Sequence, residues 1–412
     1  MSTPAALQRQ PYTLYLFWIS YFSGKMQAYL RYKEIPHREE EPKWGGALLH
    51  EIYANTGLMK VPVVRTPQGQ WLADSTPMID WFEARHAPGA VIPDDPLQAF
   101  FCRLLEDYAD EWLWRPALHY RWSYPTDAHA LSRRFAETFL SDQPMPRAMT
   151  AWMARRRQHR IYVAGDGITP ATRAHVESIY LDTLGHLQKI FEQRPFLLGA
   201  RPCLADFGFF ASMFRHFSLD PTPSLIMQQR APAVYEWVAR LWNARHSAIS
   251  GGWHAPGSLP PDWLPAITGL AALLHASSVA FQALKYAGAA YLPYLHANAV
   301  AWREGRRRFD FEVQGVRYRR LPVVQYRVWC RERLQQHHAA LPAPARAAAD
   351  ALLAECGALQ PLLADGSIAS GLYTDTVPPL CRPRRIGVLE RLRRFVTGTH
   401  WHVPPARNAG GP

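Results

Sequence analysis

Cysteine is scarce in this chain. Its five copies in 412 residues, Cys102, Cys203, Cys330, Cys356 and Cys381, are widely spaced, odd in number and form no CxxC pair. That argues against a disulfide framework and against a zinc site, and favours a reducing compartment. His337-His338 lacks partners at ligand spacing, so no metal site is expected. Met1–Gln10 has no basic stretch leading into an apolar one, and no signal peptide is expected. Long apolar runs are absent but for one: residues 264–284 contain no Asp, Glu, Lys or Arg. A membrane-spanning helix needs about 20 predominantly apolar residues. This run is Ala-rich and interrupted by Pro265, Thr268, His275, Ser277, Ser278 and Gln282. A buried or amphipathic soluble helix is therefore preferred over a span. Lysine is scarce as well, with 6 copies against 40 arginines.

What the chain does have is apolar and aromatic mass. It is 48% hydrophobic and 12% aromatic, enough for sizeable cores. A length of 412 residues suggests two or three domains. The formal net charge of +12 is unevenly spread. Residues 1–250 hold 27 basic against 24 acidic side chains, whereas residues 251–412 hold 19 against 10. Any anionic partner is thus to be sought first in the C-terminal part.

The first ninety residues alternate in kind. Tyr12–Trp18 reads as a buried strand, Ser23–Lys33 as a helix with Ser23 at its cap, His37–Glu41 as a polar strand and Gly46–Asn55 as a second helix. Val61–Thr66 and Trp71–Ala73 flank the turn Pro67-Gln68-Gly69. Ser75–His86 is a third helix with Pro77 in its first turn, where a missing N–H costs nothing. The order β-α-β-α-β-β-α fits a small α/β sheet with helices on both faces. Ala87–Pro96 reads as a linker, residues 97–246 as a helical bundle and Gly251–Pro261 as a second boundary. The remainder is mainly helical around a β-hairpin within Phe309–Gln325, and Pro404–Pro412 is a tail. The domains are accordingly 1–86, 97–250 and 262–403.

Two short elements carry the chemistry. Val61-Pro62-Val63-Val64 is a strand entered through an X-Pro bond, and Pro belongs at the edge or first residue of a strand. A cis bond is accessible there. It would turn the Val61 N–H and C=O away from the ladder and towards an extended ligand. Asp74-Ser75 then begins a helix, whose N-terminus receives a carboxylate. Together they describe an anion site of peptide size.

Four segments in order resemble the glutathione S-transferase family over about residues 12–246. Ser20-Tyr21-Phe22-Ser23-Gly24-Lys25-Met26 is similar to the loop after the first strand in its serine-type, theta/zeta-like members. Val61-Pro62 resembles the family's cis-proline turn, and Asp74-Ser75-Thr76 its acid–Ser–Thr motif. Phe196-Leu197-Leu198-Gly199 with Leu204-Ala205-Asp206-Phe207 resembles the folding motif of its helical domain. The resemblance implies a thioredoxin-like α/β domain, an all-α domain and, beyond the family pattern, a mainly α extension. It also implies glutathione as co-substrate, held by Ser20, Lys60, Val61, Pro62, Asp74 and Ser75. Val61 would pair with the cysteinyl unit, Asp74 and Ser75 with the γ-glutamyl end, and Lys60 with the glycyl carboxylate. Ser20 would donate to the sulfur, favouring the nucleophilic thiolate. A cytoplasmic, homodimeric enzyme acting on an electrophilic or peroxidic small molecule follows from the same resemblance.

One departure stands out. Cys203 occupies the place where the helical-domain motif has Ser or Thr, so half of a capping box is expected to survive through Asp206. Trp112, Trp114, His119, Tyr120 and Trp122, on one long helix after an acidic run, either line a pocket for the second substrate or fill the bundle core. The arginine clusters at 306–308, 317–320 and 382–385 read as solvated surface rather than a site for nucleic acid or anionic lipid. The short basic segment Ile386–Val396, by contrast, has the character of one that could rest on a membrane surface. The alternative function is a non-catalytic scaffold whose extension mediates interactions.

Overall fold

Alternation of side chains across short strands builds the first layer of the structure, a computed structural model describing residues 11–263 and 290–372. Strands β1 (Tyr12–Tyr15), β2 (His37–Glu40), β3 (Val63–Arg65) and β4 (Trp71–Ala73) form one sheet in the order β2-β1-β3-β4. β1 runs parallel to β2 and antiparallel to β3, and β3 is antiparallel to β4. Because strand side chains alternate faces, Leu14, Val64 and Leu72 share one face and Tyr15, Val63 and Ala73 the other. The first face packs on helices α1 (Tyr21–Tyr32) and α3 (Ser75–Glu83) through Tyr29, Ile79 and Phe82. The second is covered by Ile52 of α2 (Ala47–Thr56).

β1 ends at Tyr15, three residues short of its expected end. The chain turns there because Ser20 N–H donates to Phe17 C=O (2.8 Å) and Phe17 N–H to Ser23 Oγ (3.1 Å). That second bond also explains why α1 begins at Tyr21, with Ser20 and not Ser23 as its N-cap. The Ser23 hydroxyl is already committed.

The bundle comprises α4 (Pro96–Glu111), α5 (Trp114–Ser123), α6 (Pro125–Glu137), α7 (Arg147–Gln158), α8 (Arg173–Phe191), α9 (Leu204–Ser212), α10 (Pro221–Arg230) and α11 (Pro232–Asn243). α4 and α9 cross closely at Gly208, where a Cβ would come within 2.7 Å of Glu106 Cα. Asp206 knots the folding motif. Its carboxylate accepts from Leu197 N (3.0 Å), Cys203 N (2.9 Å) and Trp237 Nε1 (3.2 Å), and the Cys203 thiol donates to it at 3.2 Å. Burial nevertheless raises the Asp206 carboxyl to about 6.

Residues 251–263, a boundary by composition, are tied down. Gln98 Nε2 donates to the carbonyls of His254, Ala255 and Ser258, and Trp263 Nε1 to Leu197 C=O at 2.8 Å. The extension then adds α12 (Leu292–Arg303), a hairpin of β5 (Arg308–Val313) and β6 (Val316–Pro322), α13 (Gln325–Ala339), α14 (Ala343–Glu355) and α15 (Leu359–Leu363). The hairpin turns at Gln314-Gly315, both at positive φ (52° and 74°), the pattern of a two-residue loop that matches strand twist. Among the described residues, no helix is long and apolar enough to cross a membrane. Residues 264–284, the cluster at 382–385, Ile386–Val396 and Pro404–Pro412 lie outside the described residues.

The acidic run on α4 explains how the three parts hold together. Glu106, Asp107 and Asp110 are buried, and each meets a partner from another part of the chain. Lys25 of α1 bonds Glu106 and Asp110, both at 2.5 Å. Tyr291 donates to Asp107 at 2.7 Å, and Arg333 of α13 lies 3.7 Å from Glu106 and 3.3 Å from Asp80. Glu111 is bonded by Arg327 at 2.9 Å. Part of the extension's basic excess is thus spent on carboxylates of α4 and α3.

Asp107 gives a pH prediction. Burial raises its carboxyl to about 7, with the Tyr291 hydrogen bond acting the other way. The folded state then holds a proton that the unfolded chain releases near pH 4, so stability falls as pH rises from about 4 to about 7. Asp107→Asn keeps an acceptor for Tyr291 and cannot ionise. It should match the parent at pH 4.5 and be more stable at pH 8, by at most about 4 kcal/mol. Urea unfolding at the two pH values checks this, and equal differences at both would contradict it.

Candidate functional site

The register of the sheet brings the sequence motifs to one edge. Tyr15, Val63 and Ala73 pair in a row across β1, β3 and β4. The segments leaving β1 towards Ser20, entering β3 through Val61-Pro62 and leaving β4 at Asp74-Ser75 therefore emerge together. The Val61-Pro62 bond is cis, and Val61 stands ahead of the ladder, which begins at Val63.

Ser20 is partly exposed at the N-terminus of α1. Its Oγ accepts from Ser23 N–H at a long 3.4 Å, so its own proton is not used by that contact. The loop carrying it is held from the bundle. Arg121, 3% exposed, donates from Nη1 to Ile19 C=O at 2.9 Å, while Nε and Nη2 grip Asp220 at 2.8 and 2.9 Å.

Asp74 sits at φ 79°, ψ 111°, and its side chain does not cap α3. A non-glycine residue at positive φ outside the left-handed helical region is uncommon and points to a site. Its carboxylate accepts from the Tyr326 hydroxyl of α13 at 3.0 Å. Ser75 is buried at the start of α3, and Thr76 Oγ1 donates to Glu106 at 2.5 Å, anchoring the motif to the ion cluster on α4. Lys60 is partly exposed. Burial lowers its ammonium to about 8, with Glu111 and Asp74 acting the other way.

Trp112, His119 and Tyr120 lie in the interior, the second of the two roles weighed for them. Each is 2% exposed or less. Trp112 packs against Tyr291 and Tyr294 of the extension, His119 bonds Glu177 at 3.0 Å, and Tyr120 packs against Tyr124, Tyr180 and Phe217. A different set of rings is partly exposed and begins two residues beyond Ser20, at Phe22. Phe22 stacks on Trp114 at 5.9 Å, and Trp114 meets Tyr162 edge-on at 5.7 Å; all three are partly exposed. Trp114 belonged to the aromatic run already visible in the sequence. The expected single long helix breaks between Trp112 and Trp114: Trp112 is the C-cap of α4, and Trp114 opens α5.

The sequence matches the family model for the glutathione S-transferase N-terminal domain over residues 14–90 and that for the C-terminal domain over residues 179–244. No curated protein matches it. Similar solved structures include a glutathione S-transferase from Methylobacterium radiotolerans in complex with glutathione sulfonate, at 17% identity and TM-score 0.36, covering 61% of this chain and 100% of that one. A glutathione S-transferase from Methylobacillus flagellatus with glutathione bound has 19% identity and TM-score 0.34, covering 56% and 93%. A beta-etherase from Sphingobium has 16% identity and TM-score 0.40, covering 56% and 95%.

Proposed function

Because this chain belongs to the glutathione S-transferase family, we propose that it binds glutathione at the sheet edge and activates its thiol against an electrophilic or peroxidic small molecule. The observation that carries this reading is the convergence of Ser20, the cis Val61-Pro62 bond and Asp74-Ser75 on one end of the sheet. Val61 offers main-chain groups to the cysteinyl unit, Asp74 a carboxylate to the γ-glutamyl ammonium, and the α3 N-terminus at Ser75 its N–H groups to the γ-glutamyl carboxylate. Lys60 faces the glycyl carboxylate.

Ser20 donates its hydroxyl proton in a hydrogen bond to the sulfur, and the positive end of α1 adds to that stabilisation. The thiol loses its proton to solvent. The thiolate then forms a bond to the electrophilic atom as the leaving group departs with its electron pair. Phe22, Trp114 and Tyr162 form an apolar wall beside this sulfur for the second substrate. A cytoplasmic setting and a homodimer belong to the same proposal, on the resemblance alone.

Lys60 supplies the test. A bound carboxylate stabilises its charged form, so above about pH 8 binding has to take up a proton. S-methylglutathione has no thiol proton to confuse the profile. Its affinity should fall between about pH 7 and pH 9, by up to about tenfold per unit. Lys60→Met should bind more weakly at pH 7 and show a flatter profile. Calorimetry measures both, and identical profiles in parent and variant would remove Lys60 from the site.

A further inference from the structure

The extension reaches the same edge of the sheet through two consecutive residues. Tyr326 donates to Asp74 at 3.0 Å, and Arg327 holds Glu111 at 2.9 Å. The charges of Asp74 and Glu111 both act on Lys60. Adjacent side chains at the start of α13 thus grip two carboxylates that act on one cation of the candidate site.

The grip is firmly based. Asn298 of α12, wholly buried, donates to Val324 C=O at 2.9 Å and accepts from Val324 N–H at 2.8 Å, fixing the entry to α13. Arg327 is 4% exposed and also bonds the Tyr294 hydroxyl. The Tyr326 ring packs on Trp329 at 5.2 Å. Tyr326 is therefore presented to Asp74 from a backbone that has little freedom to withdraw.

We propose that Tyr326 is a positioning residue of the ligand site: it orients the Asp74 carboxylate towards the α-ammonium of a γ-glutamyl ligand, so that the extension completes the site. This rests on the reading of glutathione as the ligand. A carboxylate has several acceptor positions. The Tyr326 hydroxyl takes one of them and so fixes the plane of the carboxylate. Asp74 itself stands at an uncommon backbone conformation, so a side chain that fixes its direction lowers the ordering cost of binding.

The test uses the full chain and two ligands, glutathione and its analogue lacking the α-amino group. Tyr326→Phe retains the ring that packs on Trp329 and loses only the hydroxyl. It should bind glutathione about tenfold more weakly, and the analogue with unchanged affinity, at an unchanged melting temperature. In turnover the loss should fall on KM for glutathione and leave kcat in place. Equal glutathione affinity in parent and Tyr326→Phe overturns the inference while the ligand reading stands. Equal losses for both ligands also overturn it, because Tyr326 would then act without the ammonium. No glutathione binding by the parent removes the ligand reading and the inference together.

Discussion

Lys25→Met is expected to cost about 3–5 kcal/mol of folding stability, the range for removing one partner of a buried ion pair. Lys25 is wholly buried on α1 and bonds Glu106 and Asp110 of α4, with Thr76 of α3 donating to the same Glu106 oxygen. Burial works against its ammonium, yet the two carboxylates hold its pKa above the ordinary lysine value. Methionine fills similar space and leaves two carboxyl groups facing each other. Native proteins have about 5–15 kcal/mol in hand, so the variant should melt early and lose both domains together. Adding Glu106→Gln should recover part of the loss, since the remaining charge then stands alone. Urea unfolding of the parent, single and double variants measures this. A Lys25→Met midpoint within experimental scatter of the parent would show that the cluster does not join the domains.

The second large effect is on activity. Ser20→Ala should lower kcat about 100-fold, the scale for removing one donor to a developing or resident anion. The bound thiol should return towards its free pKa of about 8.5, seen as loss of thiolate ultraviolet absorbance at neutral pH. Affinity for glutathione should change little, because on the proposed reading Lys60, Asp74 and Ser75 hold the ligand's ends. Ser20 is also the N-cap of α1, so the substitution carries a stability cost of about 1 kcal/mol. Ser20→Thr keeps both a hydroxyl and a cap and should restore most of the thiolate signal. If Ser20→Ala leaves the absorbance of bound glutathione unchanged, the hydroxyl does not activate the thiol.

The parts of this site that rest on local chemistry were legible in the sequence. An X-Pro bond at the start of a strand, an acid followed by a hydroxyl at a helix start, and Gly-containing turns each act within a few residues, and the β-α-β-α-β-β-α order follows from them. Choosing between Ser20 and Ser23 as the cap needed a tertiary fact, that Phe17 N–H claims the Ser23 hydroxyl. Trp112, His119 and Tyr120 show the same limit. Helical spacing says which residues share a face, whereas the cover over Trp112 comes from Tyr291 and Tyr294, some 180 residues on.

The acidic run Glu106–Glu111 was visible, and burying it requires cations. Sequence alone did not say that those cations are Lys25, Arg327 and Arg333, from opposite ends of the chain. The arginines of the clusters at 306–308 and 317–320, read as solvated surface, are exposed. Arg327, Arg331 and Arg333 are instead buried, Arg327 and Arg333 against carboxylates and Arg331 against the carbonyls of Pro361, Ala364 and Gly366.

The central claim is that the sheet edge holds glutathione, and direct titration tests it. Glutathione titrated calorimetrically into the full chain at neutral pH should give a saturable heat with one site per chain, weakened in Asp74→Asn. No heat at millimolar glutathione, or a heat that Asp74→Asn leaves unchanged, would contradict the account.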